Sequence, residues 1–193
     1  MPAPPATRDP FHLKGAADRT IHFSFLSRST QKPPKGRQMT AIAAGKPAPD
    51  FTISTDTGET VTLDSLRGQK LVLYFYPKAN TPGCTLEAHD FDRLGPDFSA
   101  AQTRVIGISP DPLKAIGKFR TKQALSLTLA GDEEHAMLEA YGVWVEKSMY
   151  GRTYMGVERS TVLIDAEGRI ARVWPKVKVA GHAAEVLEAA RAL

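Results

Sequence analysis

The chain has 193 residues, of which 42% are apolar, 24% charged and 8% aromatic, a globular composition with the length of one domain and an appendage. Its longest apolar run, Leu71 to Tyr76, is far too short to cross a bilayer, and a single cysteine excludes both an internal disulfide framework and a zinc site built on several thiolates. The net charge of +4 is confined to residues 1–38, which carry +5 and leave the body at −1, so no basic face for nucleic acid is indicated.

Residues 1–43 read as a disordered basic extension and lead-in, ahead of one domain over residues 44–193. Prolines punctuate this stretch, and its one apolar patch, Ile21 to Leu26, is broken by His22 and Ser24. It lacks the continuous apolar segment of a secretory signal. A transit peptide and translation from Met39 are alternative readings. The lone thiol suits a reducing compartment, which implies a cytoplasmic protein.

From Gly45 strand and helix signals alternate, the pattern of an α/β fold. Phe51 to Ser54 and Thr60 to Leu63 flank a polar turn and predict an N-terminal hairpin. Leu71 to Tyr76 predicts a central strand buried on both faces, and Pro82 to Leu94 a helix. Arg104 to Ser109 predicts a second buried strand, Pro112 to Gln123 a second helix, and Ser126 to Ala130 a short edge strand. Glu133 to Tyr141 has helical spacing in Met137, Leu138 and Tyr141. Lys147 to Met155 reads as a basic and aromatic loop that suits contact with a partner or simple packing at a site's rim. Thr161 to Asp165 and Ile170 to Trp174 straddle Ala-Glu-Gly, a hairpin loop, and Gly181 to Leu193 closes the chain as an amphipathic helix. Trp144 and Trp174 fit core or interface positions.

The chemistry concentrates in Tyr76-Pro77-Lys78-Ala79-Asn80-Thr81-Pro82-Gly83-Cys84-Thr85-Leu86-Glu87, where the central strand meets the first long helix. Thr81 suits the N-cap and Pro82 the first helical position. Cys84 then falls in the first turn, where free N–H groups and the helix dipole favour a thiolate. The bland reading is a small buried hydrophobe. Against it, a core cysteine needs no Thr-Pro-Gly lead-in, and Gly83 removes a side chain that would crowd an incoming substrate.

Pro77-x-x-x-Thr81-x-x-Cys84 resembles the active-site signature of the peroxiredoxins, and the flanking residues resemble the bacterioferritin-comigratory protein or peroxiredoxin Q branch. Gly45 to Phe51, Val105 to Ser109 and Gly156 to Asp165 extend the resemblance over residues 44–193. It implies a thioredoxin-like fold, a central mixed β-sheet flanked by helices, and a thioredoxin-dependent thiol peroxidase without cofactor or metal. It further implies Cys84 as the nucleophile that becomes a sulfenic acid, Thr81 as the hydroxyl that orients peroxide, Pro77 as a shield over the sulfur, Arg159 as the cation and Glu87 as a positioning group. An ordinary thiol with pKa near 8.5 is roughly 3% ionised at pH 7, so complete ionisation gains only about 30-fold, or about 2 kcal/mol. The remaining rate must come from groups that stabilise charge on the leaving oxygen. By itself, Arg159 before a strand also reads as a surface charge.

The chain departs from the resemblance at His89, where many members of this branch carry a second, resolving cysteine. The sulfenic acid must then be reduced by an outside thiol: thioredoxin, glutaredoxin, glutathione or another subunit's Cys84. His89 reads as a partly exposed helix histidine or as an additional base. The implied partners are peroxide and a thiol reductant, with no nucleic acid or membrane, in a monomer or homodimer. Two other readings stay open: a cysteine hydrolase pairing Cys84 with His135 or His182, and a thioredoxin-like redox sensor without turnover.

Overall fold

A computed structural model describes residues 42–149 and 151–193; the expectations for the N-terminal extension and for a start at Met39 lie outside the described residues. In chain order come β1 (Thr52–Thr55), β2 (Thr60–Thr62), a 3₁₀ turn (Asp64–Leu66), β3 (Lys70–Phe75), α1 (Pro82–Arg93), α2 (Gly95–Ala100), β4 (Thr103–Ser109) and α3 (Leu113–Gln123). They are followed by β5 (Thr128–Gly131), α4 (Ala136–Ala140), β6 (Trp144–Met149), β7 (Arg152–Val157), β8 (Ser160–Ile164), β9 (Ile170–Trp174) and α5 (His182–Arg191).

Seven strands form one mixed sheet in the order β2-β1-β5-β4-β3-β8-β9. β3 pairs in parallel with β4 and antiparallel with β8, so it is interior to the sheet, as its unbroken apolar run requires. The period-2 alternation of a strand divides that run. Leu71, Leu73 and Phe75 join a core with Ile106, Ile108 and the α4 residues Met137 and Leu138. Val72 and Tyr74, with Tyr76, join the opposite core, which holds Cys84, Ala88 and Phe91 of α1, Phe98 of α2, Ile116 and Phe119 of α3, and Val186 of α5. Each such fully buried aliphatic or aromatic side chain stabilises the fold by about 1.5–3 kcal/mol. β1 and β2 form the expected N-terminal hairpin, with Ile53 opposite Val61.

Three expectations need correction. β5 is no edge strand: β1 pairs along its outer side, with Ser54 opposite Gly131, a contact between segments some 75 residues apart that no local pattern reveals. The expected loop over Lys147 to Met155 is replaced at 147–149 and 152–155 by strand, because β6 and β7 make a two-stranded antiparallel sheet of their own. Most of β7 is exposed, so the apolar alternation that signals a half-buried strand is missing. Glu133 to Tyr141 is helical only from Ala136, because Asp132 ties the preceding turn by accepting from the Leu138 N–H at 2.8 Å, and His135 takes the left-handed conformation. α2 was not expected at all; Gly95-Pro96 ends α1 and Pro96 then opens the new helix. Among the described residues no helix is long and apolar enough to cross a membrane.

Gly107 lies opposite Tyr74 in the β3–β4 register, and a Cβ there would stand 2.3 Å from the Tyr74 ring. That ring stacks on Phe91 with centroids 4.7 Å apart and cannot swing aside freely. Gly107→Ala is expected to cost about 1–3 kcal/mol of stability through overpacking, read as a lower urea midpoint at unchanged slope.

Candidate active site

The segment between β3 and α1 is fixed by groups on neighbouring elements. Asp111, after β4, accepts from the Ala79 N–H at 2.6 Å and from the Ser109 hydroxyl at 2.9 Å. Asn80 takes a left-handed φ of 61° and accepts from Lys122 of α3 at 3.2 Å. α1 starts where expected, with Thr81 in extended backbone at the N-cap and Pro82 following. The Thr81 hydroxyl, however, makes no capping bond to the helix and donates instead to the Lys78 carbonyl at 3.0 Å.

Cys84 projects inward from the first turn of α1 and is 1% exposed. Glu87 lies three residues on, so it shares that face and is equally buried. Arg159 arrives from the connection between β7 and β8, where the pairing of Phe75 with Ser160 sets it beside the exit of β3. Its Nη2 donates to Cys84 Sγ at 3.2 Å, and its Nη1 forms an ion pair with Glu87 Oε2. The guanidinium is thus a partly buried bridge between sulfur and carboxylate, and the surface-charge reading of Arg159 is set aside. A Cβ at Gly83 would stand 3.5 Å from Arg159 Nη2, so a longer side chain there would press on this cation.

Burial pushes Glu87 up to about 7, against the opposing pull of Arg159. Its second oxygen, Oε1, is buried with no hydrogen-bond partner among the described residues. Burial alone would lower Arg159, but Glu87 and Cys84 together outweigh it and the guanidinium is held above its ordinary value. The structure therefore gathers Cys84, Arg159 and Glu87 in direct contact. Thr81 and the half-buried Pro77 sit on the connection just before them.

Neither histidine of the hydrolase reading reaches the sulfur. His135 stacks on Trp144 with ring centroids 3.8 Å apart, and the Nε2 of His182 is bonded to Thr161 Oγ1 at 2.8 Å. His89 is exposed on the outer side of α1 and lies 3.3 Å from Gln123 Oε1. Five residues along a helix amount to a turn of about 140° around the axis, which carries it away from Cys84. Asp111 was missed by sequence reasoning; its only local signal was a carboxylate in the Ser-Pro-Asp-Pro turn after a buried strand.

The sequence pattern of the AhpC/TSA family matches residues 44–173. Peroxiredoxin Bcp of Bacillus subtilis is 48% identical over 147 residues, covering 76% of this chain and 94% of that protein. Peroxiredoxin Q of Xanthomonas campestris superposes with a TM-score of 0.73 at 42% identity, over 77% of this chain and 97% of the other. A second structure from that organism, a bacterioferritin comigratory protein described for its alkyl peroxide reduction activity, matches with the same TM-score and identity over 78% and 98% of the two chains.

The elevated Glu87 makes stability depend on pH in a definite sense. Its folded value, about 7, lies above the ordinary 4.5, so the folded protein holds the extra proton between those limits. Stability from this group is complete below pH 4.5 and is lost as pH rises through 7. Glu87→Gln cannot lose that proton, so urea denaturation at pH 5 and at pH 8 should show the variant gaining relative to the parent as pH rises.

Proposed function

The chain belongs to the AhpC/TSA family, in its Bcp or peroxiredoxin Q branch, and is therefore a thiol peroxidase; from this premise we propose how its own residues carry out the reaction. The carrying observation is the guanidinium of Arg159 held on Cys84 Sγ at 3.2 Å by a buried carboxylate.

Cys84 attacks the terminal oxygen of the peroxide. An S–O bond forms, the O–O bond breaks, and the departing oxygen takes up a proton to leave as water or an alcohol, with Cys84 left as the sulfenic acid. Arg159 orients the sulfur and the peroxide, and it offsets negative charge on the leaving oxygen where little water competes. Glu87 is a positioning residue, since it holds the guanidinium by its second nitrogen. Thr81 contributes the hydroxyl that orients peroxide, after turning from the Lys78 carbonyl, and Pro77 shields the sulfur from solvent. Hydrogen peroxide is one substrate. Organic hydroperoxides are a second, a reading supported by the alkyl peroxide activity described for the Xanthomonas campestris relative.

With one cysteine among the 193 residues, Cys84 has no internal partner. An outside thiol completes the cycle, and thioredoxin, glutaredoxin and glutathione are the candidates in a reducing cytoplasm. The thiol displaces water from the sulfenic acid to give a mixed disulfide, and a second thiol frees Cys84 and leaves as the oxidised reductant.

Cys84→Ser should abolish peroxide consumption with thioredoxin or dithiothreitol as reductant while leaving the melting temperature close to that of the parent; retained turnover would overturn the assignment. Arg159→Lys keeps the charge but loses the planar fork that spans sulfur and carboxylate. Its second-order rate with hydrogen peroxide is expected to fall by about 100-fold in stopped-flow measurements. One equivalent of peroxide without reductant should yield a trappable sulfenic acid in mass spectra and no intramolecular disulfide.

A further inference from the structure

An open cleft of about 410 Å³ lies between the end of β9 and the first turn of α5, outside the Cys84 site; Trp174, Pro175, Lys176, Val177, Lys178 and His182 are among its walls. Small-molecule sites run from about 300 to 1,000 Å³, so this volume suits a peptide-sized molecule rather than a folded protein. The cleft carries positive charge to spare. Lys176 and Lys178 are exposed and enter no salt bridge among the described residues. Glu185 also lines the cleft, but its Oε1 already receives the Trp174 Nε1–H at 2.8 Å and Arg172 Nη2 at 2.6 Å. The first turn of α5 has no side-chain cap, and the positive end of its dipole adds to the lysines.

The loop bearing the lysines is fastened to the reactive centre. Lys176 adopts a left-handed φ of 51°, a conformation costly to any residue but glycine, and the following Val177 N–H donates to the Arg159 carbonyl at 2.8 Å. The same Arg159 reaches Cys84 Sγ through its guanidinium. One hydrogen bond and one arginine thus connect the cleft wall to the sulfur, and Trp174 and Val177 pack in the apolar cluster that holds Cys84.

We propose that this cleft binds the carboxylates of a low-molecular-weight anionic thiol and presents its sulfur to the Cys84 sulfenic acid. The proposal rests on the peroxidase reading given above and supplies one class of reductant for it. The thiol sulfur bonds to Cys84 Sγ, the sulfenic oxygen leaves as water with the thiol proton, and a second thiol molecule attacks the mixed disulfide to release the symmetrical disulfide and reduced Cys84. A sulfur 1% exposed favours such a small reductant, which can be threaded past the rim where a folded domain must wait for local opening.

The test oxidises the full chain with one equivalent of hydrogen peroxide. It then follows loss of the sulfenic acid by quenched mass spectrometry with glutathione, which has two carboxylates, with 2-mercaptoethanol, which has none, and with thioredoxin. In the parent protein the glutathione rate should fall as salt rises while the 2-mercaptoethanol rate holds. In Lys176→Glu/Lys178→Glu the ratio of the glutathione rate to the 2-mercaptoethanol rate should drop about tenfold, with a smaller drop in the Gln/Gln pair. An unchanged ratio overturns the proposal, whether both rates hold or both fall together through damage to the fold. A thioredoxin rate that drops as much as the glutathione rate overturns it too, since the lysines would then serve acidic reductants at large. Failure of the parent protein to form a sulfenic acid at all would instead overturn the peroxidase reading, a result distinct from every change in the ratio.

Discussion

A partly buried guanidinium held between a buried sulfur and a buried carboxylate organises the reactive end of this protein. Arg159 satisfies Glu87 with one nitrogen and Cys84 with another, and both partners are 1% exposed. Removing two opposite charges from water costs several kcal/mol per ion, and their attraction recovers that only in good geometry. Here the recovery is incomplete, because one oxygen of Glu87 lacks a partner and the carboxyl titrates near 7. The pair is therefore poor evidence for stability and better understood as orientation: a planar cation pinned at one end presents its other end in a fixed direction.

That orientation depends on the sheet. β3 and β8 are neighbours, and their register sets Ser160 opposite Phe75, so the residue before β8 emerges where β3 gives way to α1. Two apolar layers hold β3 from both faces, and the layer containing Cys84 also contains Tyr74, Tyr76, Phe91 and Trp174. The nucleophile is thus part of the core as well as part of the site. Asp111, reaching from the end of β4 to the Ala79 N–H, locks the intervening connection from the other side.

The lone cysteine gives this arrangement its chemical consequence. In α1 the helical turn carries His89 to the outer surface while Cys84 faces the core, so His89 contributes nothing at the sulfur. Reduction comes from outside the chain, and the access route for the reductant becomes as important as the approach of peroxide. The β9–α5 connection is bonded to the backbone carbonyl of the same Arg159 whose guanidinium reaches the sulfur.

Much was legible in the sequence because it is governed by local rules. The apolar run of β3, the Thr-Pro start of α1, the spacing of Cys84 and Glu87 on one helix face and the Ala-Glu-Gly turn all arise from interactions a few residues apart, and each element appears within a residue or two of its expected place. Composition alone determined that no second thiol serves Cys84. Tertiary structure decided what depends on partners distant in the chain: that β5 is interior because β1 covers its edge, that β6 and β7 pair although their side chains show no alternation, and that Asp111 holds the catalytic connection. It also decided the state of Arg159. A guanidinium before a strand is chemically the same in water or in a core, and only the strand register, with a buried carboxylate 72 residues earlier in the chain, turns it inward onto the sulfur.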